Sequence, residues 1–381
     1  MLPRLLAFLL CSWVAFGEKT LDPATIGRFI FTDTSLSNPP GQSCLTCHNP
    51  NHAFADPRRV SPGATPTLKG TRNAPSLMYA ALIPPFAYED LLLPDGTEIF
   101  AWEGGLFHDG RAKDLFDQVD QPFFETHEMN LKGKADLAAR LRKSTYLKLF
   151  PKHLVGDDEK LTYQAFRALV EFLKSPSFRP FDSPYDRHQT GDKKALSLSQ
   201  KRGLKIYKTT AGCADCHFLE PQNWEQPLLS DFGYDNLGAP AIGKKDPGLN
   251  AVTKDPEDLG KFRAPSLRNV ALTAPYLHNG SIATLREVLE FYNKRDLEPE
   301  RWGVTNYPET VNHDDLGNLG LTDDEITDLL NFLHAFSDDC LKNKKNTFPS
   351  PPKNTPSTES LKLFFPDYTH RQDPEFPEKK N

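Results

Sequence analysis

Two short stretches of this 381-residue chain share a pattern of reactive side chains. They read Cys-Leu-Thr-Cys-His over residues 44–48 and Cys-Ala-Asp-Cys-His over residues 213–217. Cys-x-x-Cys-His is the attachment motif of c-type haem, in which two thiols bond to the porphyrin and the imidazole binds iron. A Cys-x-x-Cys pair alone also suits a redox dithiol or half of a zinc site, but neither needs the histidine. The motifs predict two covalent haems, held by Cys44, Cys47, Cys213 and Cys216, with His48 and His217 as iron ligands.

The ligand on the opposite side of each iron separates a catalytic haem, which has an open position, from an electron carrier. Methionine, a common second ligand in electron-transfer haems, occurs here only as Met1, Met78 and Met129. The segment after the second motif therefore has no methionine to offer. Its candidate ligands are histidines and tyrosines: His278, His313, His334, Tyr276 and Tyr292.

Tyr292 belongs to a predicted helix that starts with the capping pattern Thr-Leu-Arg-Glu at residues 284–287. Leu285, Val288, Leu289 and Tyr292 recur at helical spacing, which places the tyrosine on the buried face. From this periodicity alone a packed core tyrosine is favoured over an iron ligand, although tyrosine does bind haem iron in some proteins.

The elements that position the motifs divide the chain in two. Residues 18–185 form a predicted first domain and residues 186–340 a second, followed by an extended Pro- and Lys-rich tail over 341–381. Few stretches alternate as strands do. We therefore expect a mostly α fold, with two cytochrome c-like haem domains packed together and loop-rich connections.

Apolar periodicity locates helices in both domains. They are predicted over 135–150 and 162–173 in the first domain, and over 199–209 and 325–336 in the second. Between the domains, the linker over 175–197 contains Pro176, Pro180 and Pro184, which are expected to break any helix.

The first 17 residues read as a secretory signal peptide, with Arg4, a short apolar run and small residues before a cut after Gly17. The run is too short for a transmembrane span. Export to the periplasm, with association at the cell surface as a further option, is expected. The net charge is −6 and no basic stripe is present, which argues against nucleic acid.

Several further segments resemble the bacterial di-haem cytochrome c peroxidases and their MauG branch. Together with both motifs they extend over most of the chain after the signal peptide. They are Arg-Asn-Ala-Pro-Ser at 72–76, His-Asp-Gly-Arg-Ala at 108–112, Glu-Met-Asn at 128–130, the Phe-Arg-Ala-Pro-Ser-Leu-Arg-Asn-Val run at 262–270, and Thr-Ala-Pro-Tyr-Leu-His-Asn-Gly at 273–280.

The resemblance implies different distal sides for the two haems. In these peroxidases the second haem's Met ligand follows the His of the Ala-Pro-Tyr-x-His segment by fourteen residues, a position that is Tyr292 here, as in the MauG- and MbnH-like branch. The first haem is expected to be open, because the only candidate distal histidine, His52, lies close behind His48. By resemblance, Glu128 and Gln118 line its pocket. Glu128 would move a proton between the two oxygens of hydrogen peroxide.

Two further site features come from the resemblance. A calcium ion between the haems would be bound by the Asn73 side chain and the backbone oxygens of Thr273 and Pro275, which are suitable donors. The family's inter-haem tryptophan is replaced here by His108. Either His108 occupies the gap between the haems or Trp102 reaches it from an enlarged preceding loop.

The resemblance thus implies a haem peroxidase-type oxidoreductase with two haem c groups and calcium. The leading hypothesis is a MauG-like enzyme that uses hydrogen peroxide, through a high-valent di-haem state, to oxidise residues of a partner protein, tryptophan among them. The alternative is a peroxidase that reduces hydrogen peroxide to water with electrons from a small cytochrome or copper protein. The oligomeric state stays open, with a monomer slightly favoured.

Overall fold

A computed structural model describes residues 23–65, 67–92, 98–221 and 226–342. The predicted signal peptide lies outside the described residues, as does the predicted tail beyond residue 342. The expected mostly α fold is confirmed. The described α-helices are α1 (Pro23–Thr32), α2 (Cys44–Cys47), α3 (Leu115–Phe124), α4 (Lys134–Leu141), α5 (Asp158–Leu173), α6 (Pro184–Gln189), α7 (Leu198–Lys208), α8 (Asn250–Thr253), α9 (Leu285–Lys294), α10 (Pro299–Trp302), α11 (Asp323–Leu333) and α12 (Asp339–Lys342).

One pair of crossing helices forms the centre of each half of the molecule. In the first half α1 packs on α5, and in the second α7 packs on α11. A glycine sits at each crossing: a Cβ on Gly27 would lie 1.9 Å from the backbone oxygen of Ala168, and one on Gly203 would lie 2.1 Å from that of Asp328. Because no larger residue fits, each glycine lets two helix backbones approach closely.

Two hydrophobic clusters surround these helix pairs. The first includes Phe29 and Phe172, and the second includes Tyr207 and Phe332, all with at most 5% of their surface exposed. Phe232 follows the second haem motif in sequence but packs in the first cluster. The two halves therefore share part of their hydrophobic core.

Two helix predictions were wrong in detail. The helix predicted over 135–150 ends at Leu141, and a short 3-10 turn follows at Leu147–Leu149. The interruption lets the Tyr146 hydroxyl donate to Asp33 at 2.7 Å. Pro184 starts α6 instead of preventing it, because a proline at the first helical position loses no hydrogen bond.

A β-hairpin precedes the His-Asp-Gly-Arg-Ala segment, where the sequence predicted only an enlarged loop. Strands β1 (Ala87–Leu92) and β2 (Glu98–Glu103) pair antiparallel with Tyr88 opposite Trp102. A second, two-residue pairing joins β3 (Tyr234–Asp235) to β4 (Phe262–Arg263). This pairing lies next to the first half, since the Arg263 amide donates to the His108 carbonyl at 2.8 Å.

Buried polar contacts join the two halves. Arg72 pairs with Asp109 at 2.6 Å within the first half and with Asp246 at 2.7 Å in the second. The Tyr79 hydroxyl lies 2.9 Å from the carboxylate of Asp338, a fully buried residue near the end of the second half. Within the described ranges, no helix is long and apolar enough to cross a membrane.

Candidate haem sites

The first motif is a single helical turn that places its two cysteines near one another. Ser43 caps α2, and Thr46 completes the capping box. Immediately after the turn, the Nδ1 atom of His48 lies 2.9 Å from the Phe54 carbonyl oxygen. A carbonyl only accepts hydrogen bonds, so Nδ1 carries the proton and Nε2 keeps the lone pair that binds iron. Burial lowers the pKa of His48, which favours this neutral imidazole.

The second motif uses the same arrangement with a different turn. Gly212, at φ 61°, begins a 3-10 turn over Cys213–Asp215. The Nδ1 atom of His217 lies 2.8 Å from the Leu229 carbonyl oxygen, and burial lowers the pKa of His217 to about 4. The Tyr207 hydroxyl donates to the His217 carbonyl at 2.7 Å. The imidazole is therefore oriented and neutral, as iron ligation requires.

The chemistry around the motifs fits covalently bound haem. None of the four motif cysteines forms a disulfide among the described residues. Burial raises the pKa of Cys44 to about 12 and that of Cys47 to about 11. Arg263 is buried, and its Nε–H finds no acceptor within the described part of the chain. A haem propionate is a carboxylate that would accept from such a guanidinium.

Tyr292 lies on α9 beside the second motif. Burial raises its pKa well above the usual value, and Cys213 is the next largest cause, so the phenol and this thiol are close. The residues that the structure describes give the Tyr292 hydroxyl no hydrogen-bond partner. Tyr292 is half-buried against the second hydrophobic cluster, so its hydroxyl is left available as a ligand. Iron would deprotonate this phenol on binding, as a bound metal ion does with its ligands.

The other candidate ligands of the second haem have different surroundings. The Tyr276 hydroxyl donates to the Val270 carbonyl at 2.9 Å. His278 stacks on Phe262 with ring centroids 3.6 Å apart. His313 and His334 are exposed. Tyr292, by contrast, packs against the same hydrophobic cluster as Cys213, with its hydroxyl unbonded among the described residues.

Glu128 lies beside the first motif, in the turn that follows α3. Its negative charge contributes to raising the pKa of both Cys44 and Cys47, so the carboxylate lies near both thiols. Burial raises the pKa of Glu128, and Arg111 acts in the opposite direction. Gln118 is half-buried on α3, and its amide makes no hydrogen bond to the described residues.

His108 and Trp102 occupy different places. The Nε2 atom of His108 lies 2.9 Å from the Asn73 carbonyl oxygen, and burial lowers the pKa of this histidine to about 4. Its backbone carbonyl accepts from Arg263, so His108 lies where the two halves meet. Trp102 lies on β2, stacked on Phe86 with ring centroids 4.7 Å apart.

The residues expected to bind calcium also lie at this junction. The backbone N–H of Asn73 donates to the His278 carbonyl at 2.8 Å, which brings Asn73 next to the segment carrying Thr273 and Pro275. The Asn73 side-chain nitrogen donates to the Asp56 and Arg58 carbonyls, leaving its oxygen available. The described residues contain no group of three His, Cys, Asp or Glu side chains suited to a metal. A calcium ion here would depend on amide and carbonyl oxygens.

Sequence reasoning did not identify the groups that orient the proximal histidines. These are the backbone carbonyls of Phe54 and Leu229, and both residues adopt left-handed φ values of 58°. Left-handed backbone is uncommon for large side chains, so neither the residue type nor the spacing signals the turn. Arg263, by contrast, lies inside a segment that the resemblance had already singled out.

This chain is similar to known haem proteins over most of its length. Residues 22–194 match the family described as di-haem cytochrome c peroxidase, and residues 261–302 match a RoxA-like, cytochrome c-like family. The methylamine utilization protein MauG of Paracoccus denitrificans is 35% identical, covering 83% of this chain and 88% of that protein. The cytochrome c551 peroxidase of Pseudomonas aeruginosa is 29% identical, covering 87% and 83%. The diheme peroxidase BthA of Burkholderia thailandensis superposes with a TM-score of 0.75 at 30% identity, covering 84% and 86%.

Proposed function

Because this chain belongs to the family of di-haem cytochrome c peroxidases that includes MauG, we propose that it uses hydrogen peroxide to oxidise residues of a partner protein. Membership makes it an oxidoreductase with two haem c groups. Its relatives include both a MauG and a cytochrome c peroxidase, so the choice between protein oxidation and peroxide detoxification depends on this chain's own residues.

Tyr292 is the observation that carries the proposal. Bound haem supplies iron that can hold oxidising equivalents taken from peroxide. Tyrosinate is a hard anionic ligand that stabilises oxidised iron, whereas a methionine ligand favours the reduced state. Tyr292 and Cys213 both pack, half-buried, against the second hydrophobic cluster, and the Tyr292 hydroxyl has no hydrogen-bond partner among the described residues. The second site is therefore suited to retaining an oxidising equivalent rather than relaying an electron immediately.

Glu128 supports a peroxide-splitting role for the first site. A carboxylate beside an open haem position takes a proton from the nearer peroxide oxygen and delivers it to the departing oxygen. Burial raises the pKa of Glu128, so its conjugate acid is a better proton store near neutral pH than an exposed glutamate. Gln118, half-buried on α3, would orient the incoming peroxide.

Three other parts of the proposal rest on the family resemblance together with the local structure. A calcium ion bound at Asn73, Thr273 and Pro275 would hold the two halves in register. His108, at the junction, would lie between the haems. Export by the N-terminal segment would place the enzyme in the periplasm with a secreted partner.

The test is to add one equivalent of hydrogen peroxide to the fully ferric, haem-loaded protein while recording its absorption spectrum. A long-lived oxidised state without prior reduction is expected. Incubation with co-expressed secreted proteins, followed by mass spectrometry, should then reveal tryptophan or tyrosine oxidation in one of them that depends on this enzyme. If only the half-reduced protein reacts with peroxide, the detoxifying peroxidase is the correct function.

A further inference from the structure

An aromatic column extends from the surface of the β1–β2 hairpin toward the interior. Tyr88 and Phe100 are 56% and 63% exposed, which is unusual for rings of this size. The hairpin register places Tyr88 directly opposite Trp102, and Phe100 lies two residues before Trp102, so all three side chains share one face of the hairpin.

Each ring of the column contacts the next. Tyr88 lies 6.0 Å from Phe100 and 4.9 Å from Trp102, measured between ring centroids. Trp102 lies flat on Phe86, with the planes 3° apart. Phe86 in turn meets the edge of Tyr234 at 6.0 Å. These are the separations of packed aromatic pairs, so no gap interrupts the column.

The inner end of the column belongs to a chain segment that contacts the second haem motif. The Tyr234 hydroxyl donates to the Gly104 carbonyl at 2.7 Å, which anchors the hairpin to the segment over 229–234. That same segment holds the Leu229 carbonyl that orients His217. It also places the Asp231 amide 2.7 Å from the Cys216 carbonyl. One short segment therefore connects the aromatic column to the proximal side of the second haem site.

The residue types in the column suit electron transfer rather than packing alone. Tryptophan and tyrosine can lose one electron, whereas phenylalanine resists oxidation and serves only as a contact between them. Tyr234 is half-buried, and its hydroxyl is committed to a carbonyl that cannot take up its proton. Tryptophan can lose an electron without first losing a proton, so Trp102 is the favoured site of oxidation.

The charge around the column favours the same conclusion. The chain has no lysine or arginine between Asn73 and Gly110, while the hairpin strands carry Glu89 and Glu103. Negative charge stabilises a positively charged oxidised ring and attracts a positively charged protein surface.

We propose that Trp102 receives electrons from an oxidisable residue of a basic partner protein and passes them, through Phe86 and Tyr234, toward the second haem. This inference rests on the proposed function, because it names the route by which that function reaches its substrate. It also gives different places to the two residues that the sequence offered for the gap between the haems. His108 lies at the junction of the two halves, and Trp102 lies in the hairpin.

The electrons and protons balance with the proposed activity. One molecule of hydrogen peroxide takes up two electrons and two protons and leaves as two molecules of water. Two successive one-electron transfers along the column supply the electrons. After each transfer Trp102 is refilled by one electron from the partner residue, and the protons that the oxidised partner residue releases match those consumed.

The experiment uses the haem-loaded full chain and the substitutions Trp102→Phe and Phe86→Leu. The first keeps a flat ring in the stack but removes its oxidisable indole, and the second breaks the stack without changing Trp102. Tyr163→Phe is the matched control, since Tyr163 is also a partly exposed aromatic packed against a phenylalanine, Phe116, but lies on α5.

Two measurements are made on each protein. After one equivalent of peroxide without any reductant, peptide mass spectrometry should find oxygen added at Trp102 in the wild type, with less when reductant is present. Stopped-flow absorption should show that electron uptake from reduced mitochondrial-type cytochrome c, a basic protein, is at least about tenfold slower in Trp102→Phe and Phe86→Leu. The spectral response to peroxide itself should not change, and Tyr163→Phe should match the wild type throughout.

The outcomes separate the two proposals. An unmodified Trp102 peptide together with wild-type electron uptake in both variants would overturn the relay. If the wild-type protein reacted with peroxide only after half-reduction, protein oxidation would be overturned as the function. The relay would still be tested by the same variants, with cytochrome c as the electron donor. If Trp102→Phe also altered the haem spectrum, Phe86→Leu and the peptide map would decide.

Discussion

In the first half of the molecule the His48 ring donates from Nδ1 to the Phe54 carbonyl, and in the second half His217 does the same to Leu229. Both acceptor residues have a φ of 58°. The acceptor follows its histidine by six positions in the first half and by twelve positions in the second. The two histidines are thus oriented by the same kind of contact, although the loops that provide the carbonyls differ in length. The other neighbours of the two motifs differ: Glu128 lies near the first pair of cysteines, and Tyr292 lies near the second.

This comparison shows which part of a haem site can vary without loss of the haem. Attachment and orientation of the ligand histidine need only a short turn and one backbone carbonyl, which many side chains can provide. The distal group comes from a distant part of the chain and sets what the iron does. One protein can therefore hold two haems of the same kind and give them different tasks.

Replacing Tyr292 is expected to remove the difference between the two sites altogether. Tyr292→Phe removes the proposed ligand while keeping the ring, and it should change the ferric spectrum of the second haem. The oxidised state formed with peroxide should decay at least about tenfold faster, because one stabilising ligand interaction is lost. Tyr276→Phe is the control, since the Tyr276 hydroxyl is held by the Val270 carbonyl. An unchanged spectrum in Tyr292→Phe would show that Tyr292 does not bind iron.

The next effect concerns the first site alone. Glu128→Gln should slow the reaction with peroxide by about 10²–10⁴-fold, the usual contribution of a positioned acid–base group. The spectrum of the second haem should stay as in the wild type. Glu125→Gln, at a neighbouring carboxylate whose side chain is 52% exposed, should have little effect. Equal rates in the two variants would exclude Glu128 from proton transfer.

The pH dependence of the same reaction gives an independent check. The carboxylate form of Glu128 is the base, so the rate should fall as the pH drops through the pKa of this residue. Burial raises that pKa, so the fall should begin above the pH at which an ordinary glutamate titrates. This acid limb should be absent from the pH profile of Glu128→Gln.

A smaller effect is expected from calcium, which would hold the two sites together. Chelation with EGTA should lower the thermal midpoint of the haem-loaded protein, because a ligand that binds only the folded state stabilises it. Asn73→Ala should abolish this response, whereas Asn279→Ala should keep it, since the Asn279 side chain donates to the Pro240 carbonyl. A wild-type protein insensitive to EGTA, with no calcium found by elemental analysis, would remove the ion from the proposal.

The smallest effect tests the polar junction between the halves. Burial raises the pKa of Asp338 to about 6, above its value of 3.8 in an unfolded chain. The folded state therefore holds an extra proton between these values, and stability should fall as the pH rises through that window, by about 3 kcal/mol at most. Asp338→Asn should flatten this dependence in thermal melts. The same slope in wild type and variant would contradict the assignment.

Many features of this protein could be predicted from short-range patterns in the sequence. The two haem attachment sites, the mostly α fold and the family were predictable because each depends on residues close together in sequence or on helical periodicity. The absence of methionine after the second motif was equally plain, and it excluded one kind of ligand for the second haem. Periodicity nevertheless predicted Tyr292 as a core residue, because a buried ligand and a buried core residue occupy the same helix face.

Other features depended on contacts between distant segments. Only the tertiary structure showed that Tyr292 lies beside Cys213 without another partner among the described residues, that His108 belongs to the junction, and that Trp102 belongs to a stacked aromatic column. The two carbonyls that orient the proximal histidines were also invisible beforehand. A backbone oxygen is present at every residue, so its role is decided by the path of the chain and not by the side chain that happens to be there.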